Sequence, residues 1–442
     1  MTVVDGTPAV EPAATAAARA AVESVWDLVC DGVRTLVVDS PPGAGKSTLV
    51  RQVARRLVAA GEQVPVVAQT NDQADDLAYR LAGEVPEGVT VGRLYGGTWS
   101  PRSRLPANLV ASSRVDDLEA CAVLVATAAK WAFVAGRQWP LGIIDEAYQM
   151  SSAALVRVAG LFDRLLLVGD PGQLEPFTVA DERIVRRVAA WPLDTAAGTV
   201  LRNHPDTPVV PLPVSWRLPP SAADVVSEAF YTRRFRAGVR DGVRELELRA
   251  RPLPDAVGRV LTTAAEHGWG LLELPAAYLP HTDPEAAGAV VEVVARLLAA
   301  GAEVTDEVGT RQLVQSDVAV GVVHRDQRAR LRSALDARGL GGVVVDTANR
   351  LQGREFEVVV AWHPLSGRRD ASAFHLEAGR LCVLASRHRQ ACIVVTRAGV
   401  REQLDACPAT EPVWLGADPP RVDGWEANHL FLERLARFAT SV

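Results

Sequence analysis

The run VVDSPPGAGKSTLV, Val37 to Val50, sets the tightest limit on what this chain can fold into. An apolar strand leads into a loop carrying Gly43 and Gly45, and a helix opens at Lys46. Such a strand buries both faces, so the unit belongs to a parallel sheet covered by helices. Glycines let the loop turn its backbone N–H groups inward, and the helix N-terminus behind them favours anions. Pro42, Gly43, Ala44, Gly45, Lys46, Ser47 and Thr48 are therefore the candidate contacts for a nucleoside triphosphate. The Ser47 hydroxyl is placed to hold Mg²⁺. Ser40 stands where the GxxxxGK[ST] pattern begins with glycine. Of the 47 lysines and arginines only Lys46 and Lys130 are lysine, so the chain uses arginine almost wherever it needs a cation. Lys46 persists where a compact ammonium must reach phosphate oxygens.

Short apolar runs continue along both halves of the 442 residues, a length that suits two domains. In the first half they are Thr35–Asp39, Val64–Gln69, Ala122–Thr127, Leu141–Glu146 and Arg164–Asp170. In the second they are Gly270–Pro275, Asp317–Val323, Gly342–Thr347, Glu357–Trp362 and Ala391–Thr396. The pattern predicts an α/β fold with two parallel-sheet domains. Predicted helices fill Pro284–Gly301, Arg325–Gly339 and, as an amphipathic C-terminal element, Trp425–Ala439. The expected boundaries are a flexible tail over 1–20, a first domain over 21–203 and a second over 204–442. The Pro-rich His204–Trp216 reads as a linker, and 86–120 as a reduced insertion.

A net charge of −6 argues against a broadly basic nucleic-acid coat but leaves room for a local groove. The five cysteines form no CxxC or Cys/His cluster, so no structural metal is expected. With no apolar run near the ~20 residues of a membrane span and no signal-peptide pattern, a cytoplasmic location is expected.

Two further motifs add chemistry to the loop. In IIDEAYQM, Ile143–Met150, a strand delivers Asp145 and Glu146 to the carboxyl edge of the sheet. Asp145 suits a Mg²⁺ ligand, and Glu146 suits the base that deprotonates an attacking water, which points to hydrolysis. In LLLVGDPGQLEPF, Leu165–Phe177, a second strand ends near Gln173, a candidate γ-phosphate sensor.

The ordered series PPGAGKS, DEAYQ, GDPGQLEP, SWRLPP, DTANRLQGREFEVVV and GRLCVLASRHR resembles the superfamily 1 helicases, and within them the nonsense-mediated-decay helicase group with its DEAxQ motif. That resemblance spans Val37 to about Thr396. It implies two RecA-like domains that sandwich ATP and grip a single strand of DNA or RNA, moving 5′→3′. It also implies that Arg217 and Arg387 stabilise charge on the γ-phosphate and that Glu355 links the nucleotide and strand sites, with Gln352 and Gly353 shaping the turn. Trp216 replaces the family's tyrosine, with adenine stacking and a hinge-side core role both open. Asn349 replaces a common aspartate. The family's adenine-reading glutamine is not evident in Ala20–Gly32, and 86–120 is too short for its barrel and stalk.

Candidate strand contacts follow the same resemblance. They are Thr70, with Asn71 as contact or helix cap, then Thr127, Lys130, His324, Arg325 and Thr347. Trp131 is read as a base-stacking or a core residue, and Arg93, Arg102 and Arg104 as arms toward nucleic acid. The alternative reading is an ATP-switched regulatory subunit, with a protein partner in a larger assembly.

Overall fold

The computed structural model describes all residues except 1, 2, 5, 6, 98, 102, 177–193, 251, 252 and 408–421. Arg102 and Phe177 therefore lie outside the described residues. The chain divides into two compact units, one of Ala18–Pro171 with Glu175–Leu212 and one of Met1–Ala17, Gly172–Leu174 and Pro213–Val442.

In the first unit the expected apolar runs become strands of one wholly parallel sheet. They are β1 Thr35–Asp39, β2 Val64–Ala68, β3 Val91–Leu94, β4 Leu109–Ser112, β5 Val123–Thr127, β6 Trp139–Asp145, β7 Phe162–Gly169 and β8 Val209–Pro211. The order is β8-β1-β7-β6-β2-β5-β3-β4. One strand, β7, thus separates the phosphate-loop strand from the Asp-Glu strand. In register, Val37 and Ile144 flank Leu167, so β1 and β6 end at the same carboxyl edge. Both faces are packed by helices, with Leu49, Val50, Val53 and Leu57 of Lys46–Ala59 on one of them. Each such side chain contributes roughly 1.5–3 kcal/mol on burial.

Three expectations are corrected here. Residues 12–20 are not a loose tail but the start of helix Pro12–Cys30, an Ala-rich run with proline tolerated in its first turn. The stretch read as a reduced insertion, 86–120, carries two strands of the domain's own sheet, because β3 and β4 extend it beside β5. The supposed linker from 204 contains β8, whose Val209–Pro211 pairs with Val37–Asp39. Strands of three or four residues carry too short an apolar run to announce themselves.

The second unit holds another parallel sheet. Its strands are β9 Trp269–Leu274, β10 Val318–Val322, β11 Val344–Thr347, β12 Phe356–Trp362, β13 His388–Arg397 and β14 Ala439–Ser441, in the order β11-β10-β12-β13-β9-β14. Helices Pro284–Ala299 and Arg325–Asp336 match the sequence pattern. The C-terminal helix spans Gly424–Leu435 and presents Phe431 to Phe230 and Trp269, with ring centroids 5.6 and 5.8 Å apart. An antiparallel sheet of Glu245–Glu247, Glu303–Thr305 and Thr310–Gln312 was not expected from the sequence. Among the described residues no helix is long and apolar enough to cross a membrane.

Candidate nucleotide and nucleic-acid sites

The phosphate loop has the backbone its sequence demands. Gly43 and Gly45 take φ of 71° and 89°, a region that side chains disfavour. Gly45 is the N-cap of helix Lys46–Ala59 and supplies no side-chain cap. The first-turn N–H groups of that helix are thus not claimed by a capping side chain, as an anion site requires. Pro42 and Ala44 are buried in the loop, Ser47 is half-buried and Thr48 is exposed. The Ser47 carbonyl and the Thr48 hydroxyl each accept from Arg51, at 3.1 Å. The Ser40 hydroxyl is buried and makes no hydrogen bond.

Strand β6 brings both carboxylates to Lys46. The ammonium pairs with Glu146 Oε1 and lies 3.8 Å from Asp145 Oδ1. Asp145 is 7% exposed. Burial pushes its carboxyl up to about 6, against the pull of Lys46, and Glu146 adds to the rise. Burial works against the Lys46 charge, yet Glu146 and Asp145, with Asp170, leave its pKa raised. The cluster therefore holds three acidic groups round one lysine.

Glu146 is the one non-glycine among the described residues with a positive φ, 58°. Such a conformation costs of order 1–3 kcal/mol and persists only when its surroundings enforce it. Here its N–H donates to Asp145 Oδ1 at 3.0 Å, and its carbonyl accepts from Gln149 and Met150 at 2.9 and 3.1 Å. The next N–H, of Ala147, donates to the Val168 carbonyl of β7 at 2.9 Å. Gln69, which the sequence reading did not single out, donates to the Asp145 carbonyl at 3.0 Å. Tyr148 donates to Asp39 at 2.7 Å, tying β1 to the same edge.

The second unit gathers arginines round a carboxylate. Arg217 pairs with Glu355 at 2.8 Å and donates to the Ser386 carbonyl at 3.3 Å. Arg387 is fully buried and donates to the Val383 carbonyl at 3.2 Å and to Ser386 Oγ at 3.0 Å. Burial raises the Glu355 pKa, but Arg217, with Arg389 and Arg387, holds it below the ordinary value. Gln173, which falls with this unit, accepts a 2.8 Å hydrogen bond from Gln352. The half-buried Trp216 ring packs so closely over Gly238 that a Cβ there would lie 2.3 Å from it.

The strand-contact candidates divide clearly. Thr70, not Asn71, caps helix Asn71–Glu84, and Thr127 caps the short helix after β5. Asn71 Oδ1 instead accepts from Arg93 at 2.9 Å. Arg93 is 1% exposed and pairs with Asp75 at 2.7 Å, so it is a buried strut rather than an arm. Trp131 is fully buried, donates to the Val66 carbonyl at 3.1 Å, and belongs to the core. Lys130 donates to the Ser113 carbonyl at 2.8 Å. Arg104 and Arg325 are exposed, Thr347 is buried, and half-buried His324 has rings on several sides. Asn349 accepts from Arg380 at 3.1 Å.

Residues 18–190 match a family model described as AAA domain, and residues 197–399 match a second model of the same description. No curated protein matches the sequence. Similar solved structures include the arterivirus nonstructural protein 10 helicase, at 15% identity and TM-score 0.43 over 86% of this chain. The complex of that arterivirus protein with DNA matches at 14% identity and TM-score 0.43, again over 86% of this chain. This chain spans 61% of the length of either. With AAA matches in tandem, the first carrying the phosphate loop and its carboxylates and the second the arginine-bearing motifs, the chain belongs to the superfamily 1 helicases.

Proposed function

We propose that this chain hydrolyses ATP and couples the reaction to movement along single-stranded DNA or RNA, in the 5′→3′ direction of the DEAxQ group. The observation that carries the reading is Glu146, held at positive φ beside Lys46 at the mouth of the phosphate loop. Such strain in a charged residue has no structural need at a plain strand end, and it aims a carboxylate where an attacking water must sit. Lys46 exchanges its carboxylate partner for the β- and γ-phosphates, and Glu146 then accepts the water's proton. Pro42, Gly43, Ala44, Gly45 and Thr48 line the phosphates.

The donor set suits Mg²⁺, because a buried carboxyl shifted up to about 6 gains most from a hard cation beside it. Ser47 and Asp145 would hold that ion, which neutralises charge on the phosphate oxygens when bound. Arg217 and Arg387 supply further positive charge to the transferred phosphoryl group. Gln173 responds to the γ-phosphate and relays its state through Gln352 toward the turn that bears Glu355. Thr70, Thr127, Lys130, Arg325 and Thr347 serve the nucleic-acid backbone, where contacts position a strand without reading its sequence.

The test is steady-state ATP hydrolysis with and without single-stranded DNA and RNA, run beside Glu146→Gln. Strong stimulation by one polymer, absent from the variant, is the expected result and names the track. Hydrolysis indifferent to both polymers would overturn the motor and leave the nucleotide-switched subunit.

A further inference from the structure

Away from the nucleotide residues, three loops at the carboxyl ends of β9, β10 and β12 bring a set of imidazoles together. His281 follows β9, His324 and Asp326 follow β10, and His375 sits in the helix Ala373–Leu376 after β12. The His281 and His324 rings lie 4.3 Å apart, and the His324 and His375 rings 5.2 Å apart. Ligating atoms of His281, His324 and Asp326 all fall within 4.8 Å of one another. His324 Nε2 is 3.0 Å from His375 Nε2, and His281 Nε2 contacts Asp326 Oδ2.

We propose that His281, His324, Asp326 and His375 form a binding site for a transition-metal dication, with Zn²⁺ the best match. Three imidazole nitrogens and one carboxylate oxygen are the donor type such ions take, at about 2.0–2.2 Å in a tetrahedron. Neighbouring donors in that tetrahedron stand roughly 3.3 Å apart. The 3.0 Å between His324 and His375 is already close to that spacing. His375 stands outside the three residues whose ligating atoms fall within 4.8 Å, so its ring would have to turn toward them, while the His281 and Asp326 side chains, 36% and 51% exposed, have room to separate.

The surroundings fit as well. Ser372 Oγ lies 2.7 Å from His375 Nδ1, the outer hydrogen bond that orients a ligating ring. Arg368 and Arg380 exert some repulsion on His324 and His375, which the carboxylate of Asp326 offsets at His324. Bound metal would bolt three loops of one sheet edge together and fix the start of helix Arg325–Asp336, with exposed Arg325. No spacing rule could reveal the site, since its ligands come from segments 281, 324–326 and 375.

The experiment uses the untagged full chain, stripped with a chelator and titrated with Co²⁺ and then Zn²⁺ in excess Mg²⁺. Wild type should give the intense visible absorption of four-coordinate Co²⁺, abolished by about one equivalent of Zn²⁺. His281→Ala and Asp326→Ala, chosen because both positions are partly exposed, should each weaken Zn²⁺ binding about a hundredfold while retaining the wild-type circular dichroism. Zn²⁺ should also raise the Tm of wild type and leave that of the double variant unchanged. Equal Zn²⁺ affinity in wild type and folded double variant would overturn the proposal, as would a weak, octahedral Co²⁺ spectrum. Asp145→Asn, which removes a carboxylate of the nucleotide residues, should leave the Co²⁺ signal intact; its loss there would assign the metal to the nucleotide residues instead.

Discussion

The two units hold opposite charge arrangements at their candidate site residues. In the first, Asp145, Glu146 and Asp170 act on one lysine, Lys46. In the second, Arg217, Arg389 and Arg387 act on one carboxylate, Glu355. Each cluster carries an excess of one sign within its own unit. Excess carboxylate suits a site for Mg²⁺ and a general base. Excess guanidinium suits developing negative charge on a phosphoryl group. A cluster's charge imbalance thus says more about the kind of ligand it suits than a single residue does.

The comparison breaks most visibly at the arginines. Arg387→Lys keeps the charge and much of the packing but loses the planar fork. It should lower ATP turnover about 10³-fold or more, with ATP binding measured by fluorescence titration little changed. A fall confined to binding would move Arg387 from the reaction to the scaffold. Arg217→Ala should act in the same direction, and should also let the Glu355 pKa rise toward the ordinary value, visible as a shifted carboxylate titration by NMR.

On the acidic side, Glu146→Gln should cost roughly 10²–10⁴ in kcat while ATP still binds. Retained turnover would remove Glu146 from the role of base. A different kind of loss is expected at Arg93. Cutting the buried Arg93–Asp75 pair with Arg93→Ala leaves a carboxylate uncompensated and should destabilise the chain by about 3–5 kcal/mol. Nucleic-acid affinity of whatever remains folded should be unchanged, which separates a strut from an arm.

The smallest effect sharpens the comparison by its sign. The Asp145 carboxyl stands at about 6, above its ordinary 3.8. Between those values the folded chain binds more protons than the unfolded one, so stability falls as pH rises through that window. Asp145→Asn fixes the neutral form. Near neutral pH it should therefore raise the Tm of the nucleotide-free chain, by of order 1–3 kcal/mol of stability, while abolishing hydrolysis. The gain should vanish below about pH 4. A variant less stable than wild type at every pH would show that Asp145 supports the fold through its charge.

Much of this was written locally. Runs such as LLLVG and VVVAW become buried parallel strands because an unbroken apolar segment has nowhere else to go. The loop PPGAGKS dictates its own backbone through Gly43 and Gly45. DEAYQ follows a strand, which delivers Asp145 and Glu146 to the sheet edge. What local pattern missed was short or non-local. Strand β8 has three residues and becomes a strand only because β1 offers it an edge. Arg93, an expected arm toward nucleic acid, is buried, since a guanidinium can enter the interior when Asp75 and the Leu94 carbonyl meet its donors.

The sequence by itself determined the strand runs, the phosphate loop and the order of the motifs, because each depends on residues a few positions apart. Only the tertiary structure decided the strain at Glu146, the partners of Arg217 and Arg387, and the meeting of His281, His324 and His375. Those depend on which distant segments a folded sheet sets side by side, and on how much water is left between them.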